Sequence, residues 1–92
     1  MPYLYILYSQ KTDKYYVGST DDLTRRFSEH NRGQTQSTRA GVPWMMKFCM
    51  ETNNAGSFER KLKRQKSRVL LERIIMEQRL QGGSFYENLK NI

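Results

Sequence analysis

Two uncharged runs of aromatic and aliphatic residues near the N terminus constrain the fold more than any other feature. Tyr3–Tyr8 reads Tyr-Leu-Tyr-Ile-Leu-Tyr, and a second run occupies Tyr15–Ser19. Lys11–Lys14 between them is polar, as expected of a turn. Because aromatic and β-branched residues favour extended backbone, the sequence predicts a β-hairpin.

A first helix is predicted directly after the hairpin. The segment Thr20–Asp22 supplies capping side chains, and Leu23 and Phe27 follow at i, i+4 spacing, which places them on one helix face. We place this helix from about Asp22 to Asn31.

A polar loop and a third strand are predicted next. Gly33 ends the helix, and Arg32–Pro43 has no core anchor before Val42, so we expect a long loop. Trp44–Thr52 carries Trp, Phe, Cys and three Met residues, which favours a buried strand, although Met also favours helix.

Two further helices are predicted in the C-terminal half. Asn53-Asn54 is a fair N-cap for the first, Ser67 caps the second, and Gly82-Gly83 stops it. Ser84–Glu87 has the spacing of a capping box for a last short turn of helix. The positions at helical spacing are Ala55, Phe58, Leu62 and Gln65 in the first helix and Leu70, Leu71, Ile74, Ile75 and Leu80 in the second.

The predicted order β-β-α-β-α-α indicates an α/β (α+β) fold with a small three-stranded antiparallel sheet flanked by helices. With 92 residues and no linker, repeat or low-complexity tract, we expect one domain over residues 1–92. No apolar run approaches the roughly 18 residues of a membrane span. The start at Met1-Pro2-Tyr3 lacks the basic segment followed by an apolar segment that is typical of a signal peptide. We therefore expect a cytoplasmic protein that does not associate with a membrane.

The net charge and the number of cysteines limit the classes of partner and cofactor that the chain can have. The net charge is +7 and the sequence pI is about 9.8, which favours a polyanion as partner, although an acidic protein or anionic lipid would also be attracted. One histidine and one cysteine, Cys49, cannot form a disulfide or a four-ligand zinc site. We interpret Cys49 as a small buried hydrophobe.

Tyrosines of the hairpin are candidates for chemistry. If Tyr5 pairs with Gly18 and Leu7 pairs with Tyr16, then Tyr5 and Tyr16 lie on one sheet face, and Gly18 leaves room for a ring or a substrate. A one-residue slip would separate them. Tyrosine is also an ordinary strand residue, so spacing alone favours a structural role.

Three charged or titratable side chains are further candidates, each with a simpler alternative. Arg26 and His30 are four residues apart on the first helix, where the guanidinium can grip a phosphate and the imidazole can either move a proton or interact with the helix end. Glu59 is the one acid beside a basic run, Arg60–Arg68, which it directly precedes, and its plain role is an ion pair with Lys63. The density of positive charge in that run favours a surface that binds nucleic acid over a face that is exposed only to solvent.

Together these pieces resemble the GIY-YIG nuclease superfamily, and especially its small single-domain bacterial branch of UPF0213/URI-type proteins, from Tyr3 to about Ile75. Tyr3-Leu4-Tyr5 stands at the first motif and Tyr16-Val17-Gly18 at the second. The continuation Gly18–Asn31 looks like the family's helix, and Ser37–Ala40 and the step from Ala55 to Glu59 are similar to the small branch. Two departures are Tyr3 in place of the family's glycine and the lack of a matching C-terminal asparagine, so Asn88 and Asn91 stay unassigned.

The resemblance implies a metal-dependent DNA endonuclease, with DNA repair or recombination as its setting. The implied catalytic residues are Tyr5, Tyr16, Arg26, His30 and Glu59. Glu59 would also bind the metal, Mg²⁺ or Mn²⁺, weakly until DNA supplies phosphate ligands. The implied DNA-binding residues are Arg39, Lys63, Lys66 and Arg68. A module that binds nucleic acid without cutting is the main alternative, followed by an adaptor for an acidic protein.

Overall fold

A computed structural model describes residues 2–81 of the chain. The glycine stop at Gly82-Gly83, the capping box at Ser84–Glu87, and Asn88 and Asn91 lie outside these residues. In the described range the predicted order β-β-α-β-α-α is confirmed, with a short 3₁₀ helix added before the third strand. The elements are β1 (Tyr3–Ser9), β2 (Lys14–Thr20), α1 (Leu23–Asn31), the 3₁₀ helix (Gln36–Gly41), β3 (Trp44–Glu51), α2 (Ala55–Gln65) and α3 (Arg68–Gln81).

The three strands form an antiparallel sheet in the order β2-β1-β3, as the sequence predicts. The most apolar strand, β1, is central, and β2 is an edge strand. Asp13 makes the hairpin turn with φ of 55°, a left-handed conformation that Asp tolerates better than most residues. At the other end of β2, the Thr20 hydroxyl accepts a hydrogen bond from the Asp22 N–H at 3.1 Å, and this steadies the N-cap of α1.

Side chains alternate along the strands, so the sheet has two faces with different covers. Helices α2 and α3 cover the first face, and α1 and the 3₁₀ helix cover the second. The first face buries Leu4, Ile6, Val17 and Phe48 against Ala55, Phe58, Leu62, Ile74 and Ile75. The second buries Tyr5, Leu7 and Trp44, with Tyr16, Leu23, Phe27, Val42, Met46 and Cys49 partly buried around them.

The structure adds three details that the predicted elements do not contain. The loop before Val42 does contain a core anchor, because Thr38 in the 3₁₀ helix is 2% exposed. Asn54 occupies the N-cap position of α2, but its side chain makes no capping hydrogen bond there, and its own N–H donates to the Thr52 hydroxyl. Leu80 continues the apolar spacing of α3 but is largely exposed. The cap by Ser67 is confirmed, since its Oγ accepts from the N–H of Leu70 at 3.1 Å.

The helices within residues 2–81 include none that is both long and apolar enough to cross a bilayer.

Candidate active site

Tyr5 reaches the edge of the sheet because its neighbour on β2 is a glycine. The register that brings the two phenols to one face, which the sequence left open, is the one observed: Tyr5 pairs with Gly18 and Leu7 pairs with Tyr16. A Cβ on Gly18 would collide with the Tyr5 hydroxyl and with ring carbons beside it. The ring of Tyr5 therefore lies across the backbone of β2, which carries the hydroxyl from the central strand to the edge strand.

Tyr16 lies on the same face, so the two phenols share one environment as predicted. Their ring centroids are 6.3 Å apart, and the ring of Tyr16 meets the imidazole of His30 edge-on at 4.9 Å. Trp44 closes the far side of Tyr16 at 6.4 Å. Tyr5 is almost fully buried, whereas Tyr16 is partly accessible.

His30 is completely buried. Its Nε2 lies 2.9 Å from the Tyr5 hydroxyl, and its Nδ1 lies 2.9 Å from the Thr38 hydroxyl. Burial, and to a smaller extent the charge of Arg26, lower the pKa of the imidazole to about 4 against an opposing effect of Glu29. His30 is therefore neutral at pH 7.

The phenol of Tyr5 is held in its protonated form. Burial, followed by the neighbouring Tyr16, raises its pKa to about 12, and Arg26 acts in the opposite direction. A neutral phenol at hydrogen-bond distance from a neutral imidazole can pass its proton to the imidazole. It is not itself a deprotonated base.

Arg26 supplies a permanent positive charge at the same place. Burial acts to lower its pKa, but a hydrogen bond with Glu29 and interactions with the hydroxyls of Tyr5 and Tyr16 outweigh it and raise the pKa of the guanidinium. One nitrogen donates to Glu29 Oε1 at 3.1 Å, and the side chain is 30% exposed. Arg26 is thus positioned by both tyrosines and can still be reached by a phosphate.

Glu59 approaches β2 from the other face of the sheet. The Ser19 hydroxyl donates to Glu59 Oε1 at 2.5 Å, and the Lys63 ammonium lies 2.6 Å from Oε2. Lys63 also lies 5.3 Å from the ring centroid of Tyr16, so its side chain links the carboxylate to the phenols around the edge of β2. The predicted i, i+4 ion pair between Glu59 and Lys63 is therefore present, and it lies beside the candidate tyrosines.

We call the group of Tyr5, Tyr16, Arg26, His30 and Glu59 the β2-edge site. It combines two phenols, a guanidinium, a neutral imidazole and a carboxylate that is 22% exposed. A carboxylate oxygen is a ligand that Mg²⁺ accepts, but residues 2–81 contain no group of three or more His, Cys, Asp or Glu side chains that could hold a metal ion. The donor set fits an ion that keeps several waters and takes further ligands from a substrate.

The four residues proposed from the sequence to bind DNA are spread over the molecule. Lys63 lies in the β2-edge site. Exposed Arg39 donates to the Gly33 carbonyl at 2.8 Å near the end of α1, and exposed Lys66 ends α2 with φ of 49°. Arg68 pairs with Asp13 at 2.7 Å. It also lies over the ring of Tyr15, so its contacts are at the hairpin end of β2 and it is not brought to the site.

Two polar residues at the site had no role assigned from the sequence. Ser19 follows Gly18 on the edge strand, so alternation along β2 turns it to the face of α2, where it meets Glu59. Thr38 is the buried hydroxyl behind His30. Strand alternation could have found Ser19, but no sequence signal places a residue of the loop against a helix eight positions earlier.

Comparison with known proteins agrees with this geometry. The family model described as the GIY-YIG catalytic domain matches residues 1–73, so the chain belongs to the GIY-YIG family, a family of endonucleases. The chain is also similar to the UPF0213 protein BH0048 from Bacillus halodurans, known from a solution NMR structure, with 28% identity and a TM-score of 0.51. That match covers 92% of this chain and 90% of the other. No curated protein sequence matches significantly.

Proposed function

We propose that this chain is a metal-dependent endonuclease that hydrolyses phosphodiester bonds in DNA at the β2-edge site. The observation that carries the proposal is the convergence of five side chains of four chemical types at one strand edge in a member of the GIY-YIG family. Phosphodiester hydrolysis needs a positioned water, a clamp for the phosphate charge and a route for protons. The five side chains supply all three.

Arg26 is the phosphate clamp in this proposal. Its guanidinium carries a raised pKa, is held between Glu29 and the phenols, and keeps donors that can face a non-bridging oxygen. Charge on those oxygens increases as water attacks, so a fixed cation stabilises the transition state more than the ground state. Removing such a group typically costs about 10² to 10³ in rate.

Tyr5 and His30 form the proton route. The attacking water gives its proton to the Tyr5 oxygen while the Tyr5 hydroxyl gives its own proton to His30 Nε2, so one proton leaves the water and the imidazole ends with one more. No tyrosinate is needed, which suits a phenol whose pKa is about 12. The imidazole is a weak acceptor in the free protein, but a bound phosphate would raise its pKa by opposite charge.

Glu59 is the residue that would hold Mg²⁺ or Mn²⁺. Such an ion, when bound, polarises a phosphoryl oxygen and offsets charge on the leaving oxygen. In the free protein the ammonium of Lys63 stands against one carboxylate oxygen and the hydroxyl of Ser19 against the other. Metal binding therefore competes with Lys63, and we expect it to be weak until DNA draws Lys63 to a phosphate.

The charge of α2 supports DNA as the polyanion. Lys63 at the site and Lys66 at the helix end continue a row of exposed or half-exposed cations, and Arg39 adds one near α1. The other members of the row are Arg60, Lys61 and Arg64. Such a row binds the phosphate backbone without base specificity, and binding should weaken steeply with salt.

The test is cleavage of labelled DNA and RNA, single- and double-stranded, with Mg²⁺, Mn²⁺ or chelator. Glu59→Gln removes the proposed metal ligand and keeps the size of the side chain. Glu72→Gln is a matched control, because Glu72 also pairs with a residue four positions away, Arg68, but contacts β2 at Tyr15, four residues before Ser19, and not at the β2-edge site. We expect metal-dependent cutting by the wild-type chain and the control but not by Glu59→Gln.

A binding module that does not cut is the second candidate. The observation that favours it is the engagement of both Glu59 oxygens, by Ser19 and Lys63, which could make the carboxylate a structural group. Salt-sensitive DNA binding with no cutting under any metal condition would select this function and reject the nuclease.

A further inference from the structure

Thr38 has no role assigned from the sequence, and its hydroxyl is the buried partner of His30. The hydroxyl oxygen lies 2.9 Å from His30 Nδ1 and 3.3 Å from the Thr35 carbonyl oxygen. A carbonyl can only accept, so the one hydroxyl hydrogen is directed to Thr35, and the oxygen accepts at His30. His30 therefore carries its hydrogen on Nδ1.

The other end of the imidazole gives the same assignment independently. Arg26, which also acts on the Tyr5 oxygen, has donors only, so the phenol hydrogen needs an acceptor elsewhere. His30 Nε2, at 2.9 Å, is that acceptor when the imidazole hydrogen is on Nδ1. The direction of the hydrogen bonds is thus consistent from Tyr5 through His30 and Thr38 to Thr35.

The scaffold around Thr38 fixes its position. The indole N–H of Trp44 donates to the Thr38 carbonyl at 2.8 Å, and the Trp44 ring packs where a side chain at Gly41 would collide. Trp44 is held in turn by the side chain of Asn31, which accepts from the Trp44 N–H at 2.6 Å and donates to its carbonyl at 3.1 Å. A hydroxyl placed with this precision can select one tautomer of a neighbouring ring.

We propose that Thr38 is a positioning residue of the nuclease: it holds neutral His30 in the Nδ1–H tautomer, which keeps Nε2 free to take the hydroxyl proton of Tyr5. The inference rests on the proposed function, because the proton route through Tyr5 needs this tautomer. With the hydrogen on Nε2, the imidazole would donate to Tyr5, and the phenol could no longer pass a proton on.

The tautomer can be measured without any activity. His30 is the one histidine of the chain, so ¹⁵N-labelled protein gives a single pair of imidazole nitrogen signals whose shifts distinguish the two neutral forms. We expect the Nδ1–H form in the wild-type chain at pH 7. Thr38→Val keeps the volume but removes the acceptor, which should move the population towards Nε2–H, whereas Thr38→Ser should keep the wild-type tautomer. A wild-type imidazole in the Nε2–H form overturns the inference.

Cleavage then tests the catalytic consequence. Thr38→Val should lower kcat by about 10²-fold, the lower end for a lost general acid or base, while KM changes little, and Thr38→Ser should restore most of the rate. Wild-type rates in Thr38→Val with an altered tautomer would overturn the positioning role. If the wild-type chain cuts no DNA but shows the Nδ1–H form, the proposed function and the catalytic part of the inference fail together, and the tautomer assignment stands.

Discussion

Acidification should destabilise this protein through His30 before most carboxylates titrate. Its pKa is about 4 in the folded protein against 6.5 for an exposed imidazole. Because the folded value is the lower one, the unfolded chain takes the proton first. The stabilising contribution is complete above pH 6.5 and is lost as pH falls from 6.5 towards 4.

The magnitude follows from the two values. One pKa unit corresponds to about 1.4 kcal/mol, so the full contribution is about 3 kcal/mol, a large share of the stability of a small domain. The charged groups facing His30 are Arg26, which lowers its pKa, and Glu29, which opposes that effect.

The assay is urea unfolding between pH 7.5 and 4.5 for the wild-type chain and for His30→Gln, with an NMR titration of the single imidazole. We expect the free energy of unfolding of the wild-type chain to fall by up to about 3 kcal/mol more than that of the variant over this range. Carboxylates titrate in both chains, so the difference isolates His30. An imidazole pKa near 6.5, or parallel curves for the two chains, would refute the reasoning.

Three substitutions test other parts of the geometry. Gly18→Ala should lower the free energy of unfolding by about 1–3 kcal/mol and reduce cleavage, because the added methyl group displaces the ring of Tyr5; unchanged urea midpoint and rate would contradict this. Arg26→Lys should reduce the rate of single-turnover cleavage by about 10²-fold, because an ammonium lacks the planar fork of a guanidinium. The DNA affinity, measured by fluorescence anisotropy, should stay within a few-fold of the wild-type value. A matched loss of affinity would assign Arg26 to binding instead. Lys63→Gln should reduce the slope of log binding constant against log salt concentration by about one unit. Arg68→Gln should reduce it less, because Arg68 is paired with Asp13. Equal effects of the two substitutions would place Arg68 on the DNA.

The hairpin shows what periodicity can predict. The alternation of apolar residues predicts the two strands, and one register that it allows, with Gly18 opposite Tyr5, brings Tyr5 and Tyr16 to one face as observed. The elements of α1 and α2 follow similarly from caps and spacing. Local patterns are sufficient here because the relevant partners are on the same or adjacent strands.

The contacts that complete the site were not predictable in this way. Thr38 reaches His30 because a polar loop winds into a 3₁₀ helix and is tied down by Trp44, and nothing in the loop's composition specifies that path. Arg68 looked like the other cations of the basic run, but α3 turns it to the hairpin end and to Asp13. Both outcomes depend on the direction of a connection between elements, which local sequence does not encode.

The central claim is that Glu59 and the phenols across the edge of β2 act on one phosphodiester bond. The most direct measurement is the single-turnover rate of cleavage of a labelled DNA in Mg²⁺, with the wild-type chain or Glu59→Gln at saturating concentration and the bound fraction measured in the same samples. The account predicts that both proteins bind the DNA fully and that the variant cuts at least about 10²-fold more slowly. Equal rates for the two proteins at equal occupancy would contradict it.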